Sequence, residues 1–293
     1  MLTSELIKKI RKIEITTKRA VEDVLAGQYH SVFKGRGMVF DEVRPYQPGD
    51  DIRVIDWNVT ARMNELFIKQ FIEERELTVM LLVDASASQA FGSRQRFKSE
   101  LAAEITALLA FSAIKNNDRV GLIIFTDRVE RFVPAKKGKK HVLRVVSEVL
   151  AYQPQHRGTD ICAALEFAAR INKRKSVTFL ISDFLTSGYE RGLKIASRRC
   201  DLVPIVLRDR LEKELFNVGV AAFQDPESDE VVLFDTGVRR AREQVARRME
   251  TLWGEQQRLF ARLRIDAIEL FTDQDYVRPL VTFFKRREAR LAR

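Results

Sequence analysis

The sequence predicts a doubly wound α/β domain with a mostly parallel central sheet, and three observations carry that prediction. Short apolar runs at 79–83, 118–125, 177–181 and 202–207 have the length and β-branched content of strands buried on both faces. Between them lie stretches at 97–115, 142–152, 161–171 and 189–199 with helical character, and such strand–helix alternation builds parallel sheets. Oxygen-bearing side chains follow directly after two of the strands, at 84–88 and 182–183. Ligands of open α/β sheets bind there, just past the carboxyl ends of the strands.

In chain order, residues 2–26 read as an amphipathic helix, with Leu2, Leu6, Ile10, Ile13, Thr17, Val21 and Val24 on one face and basic residues mostly opposite. Gly27 ends it. Residues 35–76 have mixed periodicity: 39–43 and 66–72 alternate as strands, and Tyr46-Gln47-Pro48-Gly49-Asp50-Asp51 is turn chemistry. Arg36, Asp41, Glu42, Arg44, Asp50, Asp51, Arg53, Asp56 and Arg62 alternate in sign without helical spacing. They read as a partly buried ion-pair network fixing a strand-and-loop cap beside Trp57. If the indole is core, Trp57→Ala costs about 3–5 kcal/mol; an unchanged melt places it at an interface.

Beyond the strand at 79–83, the helix at 97–115 puts Phe97, Leu101, Ile105, Leu108 and Phe111 or Ser112 toward the core. The strand at 118–125 has a hairpin partner at 129–133. The basic loop at 136–140, KKGKK, lacks the GxxxxGK[ST] spacing of a phosphate-binding loop and reads as solvated. Two strand-like runs within 217–236 flank the acidic turn 224–229, which predicts a hairpin. Val238, Ala241, Val245, Met249, Leu252, Leu259 and Leu263 mark a long helix. Residues 267–271 make a last strand for the sheet's edge, and the tail at 283–293 reads as a docked helix with a charged face. The expected organisation is an N-terminal helix and strand/loop cap over 1–76, then an α/β domain over 77–293. That domain carries a hairpin insertion at about 215–237 and a basic C-terminal helix.

With 293 residues and 45% apolar content, the chain buries a sizeable core, and disorder is excluded as a general description. No apolar run approaches 18 residues, and the start lacks the unbroken hydrophobic region of a secretion signal, so a soluble cytoplasmic protein is expected. Cys162 and Cys200 lie in helical runs without CxxC spacing, the pattern of buried reduced thiols. The net charge is +10, and residues 238–293 carry 14 basic against 8 acidic side chains, which favours acidic partners.

The candidate site begins with Asp84, Ser86 and Ser88, spaced so that one tight loop turns a carboxylate and two hydroxyls toward one point. Serines after an acid also cap helices, so on its own this pattern leaves both readings open. Thr159, within Arg157-Gly158-Thr159-Asp160 at the start of a helical run, offers a third hydroxyl. Asp183 ends the strand at 177–181. Hard oxygens of this kind suit Mg²⁺, with Mn²⁺ as the alternative. The helix at 161–171 begins just past Thr159, so its dipole favours a carboxylate bound at the ion. His156 is close enough in sequence to reach the rim, but no general base with an orienting partner is visible.

Asp84, Ser86, Ser88, Thr159 and Asp183 together resemble the metal-ion-dependent adhesion site (MIDAS) of von Willebrand factor A domains, a resemblance spanning 77 to about 208. It implies that the hydroxyls bind the ion directly in turn, that the carboxylates act partly through water, and that one coordination position stays open for a partner's Asp or Glu. The run Arg44-Pro45-Tyr46-Gln47-Pro48-Gly49-Asp50-Asp51-Ile52-Arg53-Val54-Ile55-Asp56-Trp57, with Ala61-Arg62 and then the strand ending in Asp84, is similar to the bacterial domain-of-unknown-function family 58. That resemblance implies a MoxR-type AAA+ ATPase partner in protein maturation or remodelling. One departure is Gln89, where the family often has Met, and it is expected to make the rim more polar.

The reading that follows is a non-catalytic, metal-dependent protein-interaction module. A metal-dependent phosphohydrolase is the alternative, but a second Asp two residues after Asp84 is missing and no activated nucleophile is visible. A nucleic-acid binder is motivated by charge alone, since aromatic and basic residues do not interleave outside the tail.

Overall fold

The computed structural model describes residues 13, 39–72, 77–92, 96–172, 176–227 and 229–291. They fall into two compact units, a small one within Lys34–Glu76 and a large one that joins Ile13, from the segment 1–33, to the described residues from Leu77 onward. Of the helix expected at 2–26, Ile13 alone is described; it is helical and buried in the larger unit's core. The rest of that expectation, and Gly27, lie outside the described residues.

In the small unit, β1 (Val39–Pro45) pairs antiparallel with β2 (Phe67–Ile72), in agreement with the alternation of the sequence. A short helix α1 (Trp57–Met63) is capped by Asp56, whose carboxylate accepts from the amides of Asn58 and Val59. Two of the ion pairs form close in sequence and a third reaches from β2 to the cap of α1. Arg44 binds Asp50 in a two-pronged contact at 2.7 and 2.8 Å, Arg53 lies 3.4 Å from Asp51, and Lys69 lies 3.7 Å from Asp56. Trp57 is not core: it stands first in α1 and is 68% exposed. With so little of the ring buried, Trp57→Ala is expected to shift stability by no more than about 0.5 kcal/mol, which a chemical-denaturation midpoint reads directly.

The larger unit contains β3 (Thr78–Asp84), β4 (Arg119–Phe125), β5 (Val129–Lys136), β6 (Val177–Ser182), β7 (Asp201–Arg208), β8 (Val220–Gln224), β9 (Val231–Asp235) and β10 (Ile268–Phe271). Six of these form one sheet in the order β10-β7-β6-β3-β4-β5. Every neighbouring pair is parallel except β4–β5, which is a hairpin. The chain starts in the middle with β3, builds outward through β4 and β5, then returns beside β3 with β6 and builds the other way. The order therefore reverses between β3 and β6, and that switch point is where such sheets open a crevice for ligands.

Strand side chains alternate between faces, and β3 feeds both halves of the core. Val79, Leu81 and Val83 enter one cluster with helices α2 (Lys98–Lys115), α3 (Lys139–Ala151) and α7 (Val277–Leu291). Met80 and Leu82 enter the other, with α4 (Ile161–Ile171), α5 (Glu190–Arg199) and α6 (Arg239–Leu263). Helices on both faces explain why these strands read as unbroken apolar runs. One face assignment differs from the sequence reading: Phe97 is the residue before α2 and is 50% exposed, whereas Lys98, Leu101, Ile105, Leu108 and Ser112 are buried. Cys162 and Cys200 are free thiols but half-buried rather than enclosed. Strands β8 and β9 pair with each other apart from the main sheet, forming the expected hairpin.

Candidate metal site

At the switch point, the sheet delivers Asp84 as the last residue of β3 and Asp183 as the first residue after β6. Asp84, Ser86 and Asp183 are buried, and Ser88 is half-buried. The Asp84 carboxylate shapes its own loop. Its Oδ1 accepts from the Ser86 amide at 2.9 Å, and its Oδ2 accepts from the Ser182 hydroxyl at 2.6 Å. Ser86 Oγ and Ser88 Oγ then stand 3.1 Å apart, so the alternating hydroxyls converge as the spacing predicts. Ser182 Oγ also accepts from the Phe184 amide at 3.0 Å, joining the ends of β3 and β6. Phe184 itself is held at φ +54°, a left-handed conformation that costs a bulky residue roughly 1–2 kcal/mol. Its ring packs edge-to-face on Tyr189 and Phe260, which offsets that strain.

Thr159 belongs to the loop entering α4, and backbone bonds stitch this loop to its neighbours. The Ala87 amide donates to the Arg157 carbonyl at 2.9 Å, and the Asp160 amide donates to the Thr126 carbonyl at 2.8 Å. The Asp160 side chain caps α4 through the Ala163 amide. From the far side, Thr186 Oγ1 donates to the Thr159 carbonyl at 3.4 Å. The Thr159 hydroxyl itself donates to Glu227 at the tip of the β8–β9 hairpin, at 2.8 Å.

A second carboxylate fixes the approach to Thr159. Glu130 accepts from Thr126 Oγ1 at 2.7 Å, Tyr152 Oη at 2.5 Å, the Gln155 amide at 2.9 Å and the His156 amide at 3.0 Å. Desolvation pushes its pKa up, but these donors together outweigh that and hold it below the usual glutamate value. A depressed folded-state pKa contributes stability above the unfolded value of about 4.3 and loses it as pH falls through the folded value. The loop at 152–159 is therefore expected to loosen below about pH 4, and Glu130→Gln to loosen it at neutral pH. Faster amide exchange confined to that loop is the readout. His156 contributes its backbone amide to this carboxylate.

The electrostatics of the site were not foreseen from the sequence. Lys98, 1% exposed at the start of α2, places its ammonium 2.8 Å from Asp183 Oδ2 and also pairs with Glu212. Burial alone would lower the lysine's pKa, yet the neighbouring charges of Asp183 and Glu212 carry it above its ordinary value. Among the described residues, no cation pairs with Asp84 in this way. Desolvation first, and the charge of Asp183 second, push its carboxyl up to about 7. Lys98 thus serves Asp183 and Glu212, and the Asp84 carboxylate is met by the Ser86 amide and the Ser182 hydroxyl instead. Among the described residues, no group of three or more His, Cys, Asp or Glu is arranged to hold a metal; the donor set here is hydroxyl-rich. Asp84, Ser86, Ser88, Thr159 and Asp183 are all oxygen donors, the donor type that hard divalent cations take; the structure joins Ser86 and Ser88 to Asp84, while the Thr159 hydroxyl is engaged by Glu227 and Asp183 by Lys98. Gln89 does not polarise the rim: it is 2% exposed, and its amide finds no hydrogen-bond partner.

The model of the protein-of-unknown-function family DUF58 matches residues 42–252, and the chain belongs to that family. An uncharacterized protein of Mycobacterium tuberculosis (strain ATCC 25618 / H37Rv) is 32% identical over 98% of this chain and 92% of its own length. Among solved structures, an aerotolerance-related membrane protein from Bacteroides fragilis is similar over 73% of this chain and 99% of that one, with 17% identity and a TM-score of 0.49. The SpRpn10 VWA domain is similar over 71% of this chain and 94% of its own, with 10% identity and a TM-score of 0.38. The fold is α/β with a mostly parallel sheet. No described helix is long and apolar enough to cross a membrane.

Proposed function

We propose that this protein is a metal-dependent protein-interaction module whose ion, Mg²⁺ or Mn²⁺, is held by Asp84, Ser86, Ser88, Thr159 and Asp183. The observation that carries this reading is the pair of buried carboxylates, Asp84 and Asp183, at the ends of adjacent parallel strands, with two serine hydroxyls 3.1 Å apart between the chain's entry to the loop and its exit. An ion bound there supplies an electrophilic position for a partner's Asp or Glu. The chain's own residues do the rest. Ser182 and the Ser86 amide aim Asp84, Lys98 holds Asp183, and the N-terminus of α4 adds its dipole behind Thr159. The role is binding rather than catalysis, and the setting is cytoplasmic. The partner is a MoxR-type AAA+ ATPase in protein maturation or remodelling, the association implied by the resemblance to this family.

Capture from native lysate tests the proposal, with wild type and Asp84→Ala in Mg²⁺ and in EDTA. An AAA+ ATPase retained by wild type in Mg²⁺, and lost on chelation and on substitution, supports it. Equal retention in all four arms contradicts it.

A further inference from the structure

The β8–β9 hairpin ends in an acidic turn, and the acids of that turn divide their work. Asp225 builds the turn: its Oδ1 accepts from the Glu227 amide at 2.8 Å, and its own amide donates to the Glu230 carbonyl at 2.8 Å. Asp229, at φ +60°, closes the turn through its amide to the Asp225 carbonyl at 2.9 Å. Its carboxylate then pairs with Arg157. Glu227, projecting from the middle, accepts from Thr159 Oγ1 at 2.8 Å. Both anchors of the tip thus fall on one three-residue stretch, Arg157 to Thr159, and one of them is a hydroxyl assigned to the ion.

The strands behind the tip are weakly held. Val220, Val231, Val232 and Leu233 are all exposed, so little apolar burial fixes the hairpin in place, and segments of this kind open at low cost. Its base is firm: Thr236 is buried, its hydroxyl accepts from the Val218 amide at 2.8 Å, and Gly219 takes φ +73° beside it. The hairpin is a lever fixed at one end, with a carboxylate resting on the site at the other.

Resting on the reading of the site as a metal-dependent carboxylate acceptor, we infer that Glu227 is a built-in ligand of that site. It occupies the place of a partner's carboxylate, so that hairpin docking and partner binding exclude one another. The partner's contribution is then of the same class, an acidic side chain at the tip of a turn. A tethered carboxylate competes at an effective concentration in the mM range, so a partner displaces it only by adding contacts of its own.

The test uses the full chain, Mn²⁺ as the metal, and a synthetic peptide with the sequence of residues 224–230. Glu227→Ala is expected to bind Mn²⁺ about tenfold more weakly than wild type. Saturating peptide should restore that affinity, because metal and carboxylate stabilise each other reciprocally. A peptide with Gln at the position of Glu227 should not restore it, and wild type should ignore both peptides. Amide exchange across 220–235 should accelerate about tenfold in Glu227→Ala without any metal. Mn²⁺ bound equally by wild type and Glu227→Ala, with inert peptides and unchanged exchange, overturns the internal-ligand inference and leaves the metal site standing. Mn²⁺ bound by neither protein overturns both.

Discussion

Lys98→Ala is expected to lower the unfolding free energy by about 3–5 kcal/mol, the range for removing one partner from a buried ion pair. The lysine lies between Asp183 and Glu212, with both its own side chain and those of its partners nearly sealed from solvent. Its removal takes the ammonium from two buried carboxylates and leaves the guanidinium of buried Arg208 as the cation acting on both, while Asp84 adds a third acid beside Asp183. Urea denaturation measures the loss. Glu212→Leu combined with Lys98→Met should recover only the share owed to Glu212, because Asp183 stays buried without the ammonium that it loses. A single variant as stable as wild type would show that the ammonium is dispensable to the fold.

Asp84→Asn is expected to weaken divalent-ion binding on the order of 100-fold or more while changing stability by no more than about 1 kcal/mol. Asparagine keeps the shape and one acceptor for the Ser86 amide or the Ser182 hydroxyl, so the loop's hydrogen bonds largely survive. It loses the charge that the ion requires. Because Asp84 and Asp183 repel each other across the crevice, the metal-free variant suffers no electrostatic penalty for the change. Calorimetric titration with Mn²⁺, alongside a melt in EDTA, separates the two effects.

The strands were legible because burial on both faces leaves runs such as Val79–Val83 without polar interruption, and the helix at 161–171 because its apolar spacing is unbroken. Asp84 and Asp183 stood out in the sequence because each comes at the end of an apolar strand run, where open α/β sheets take ligands. Lys98 was missed because a lysine at the start of a helix reads as a solvated residue. The signal lay in helical register: positions 98, 102, 105 and 109 form one stripe, and Ala102, Ile105 and Leu109 are all buried. The same register error put Phe97 in the core. Glu212 follows β7 in a short 3-10 turn without periodicity, and Glu227 lies in a turn whose composition marks the bend but not what the bend touches. Trp57 misled through size alone; a large apolar ring at the first position of a short helix need not find a core. Gln89 misled in the opposite direction, a polar amide sealed beneath the loop rather than set on its rim.

One ion held by Asp84, Ser86, Ser88, Thr159 and Asp183 is the central proposal, and anomalous scattering from crystals of the full chain grown with Mn²⁺ tests it most directly. The predicted result is a single strong anomalous peak at the β3–β6 switch point, within about 2.0–2.3 Å of the Ser86 and Ser88 hydroxyl oxygens. A map with no peak at that point, or with its manganese bound elsewhere on the molecule, would contradict it.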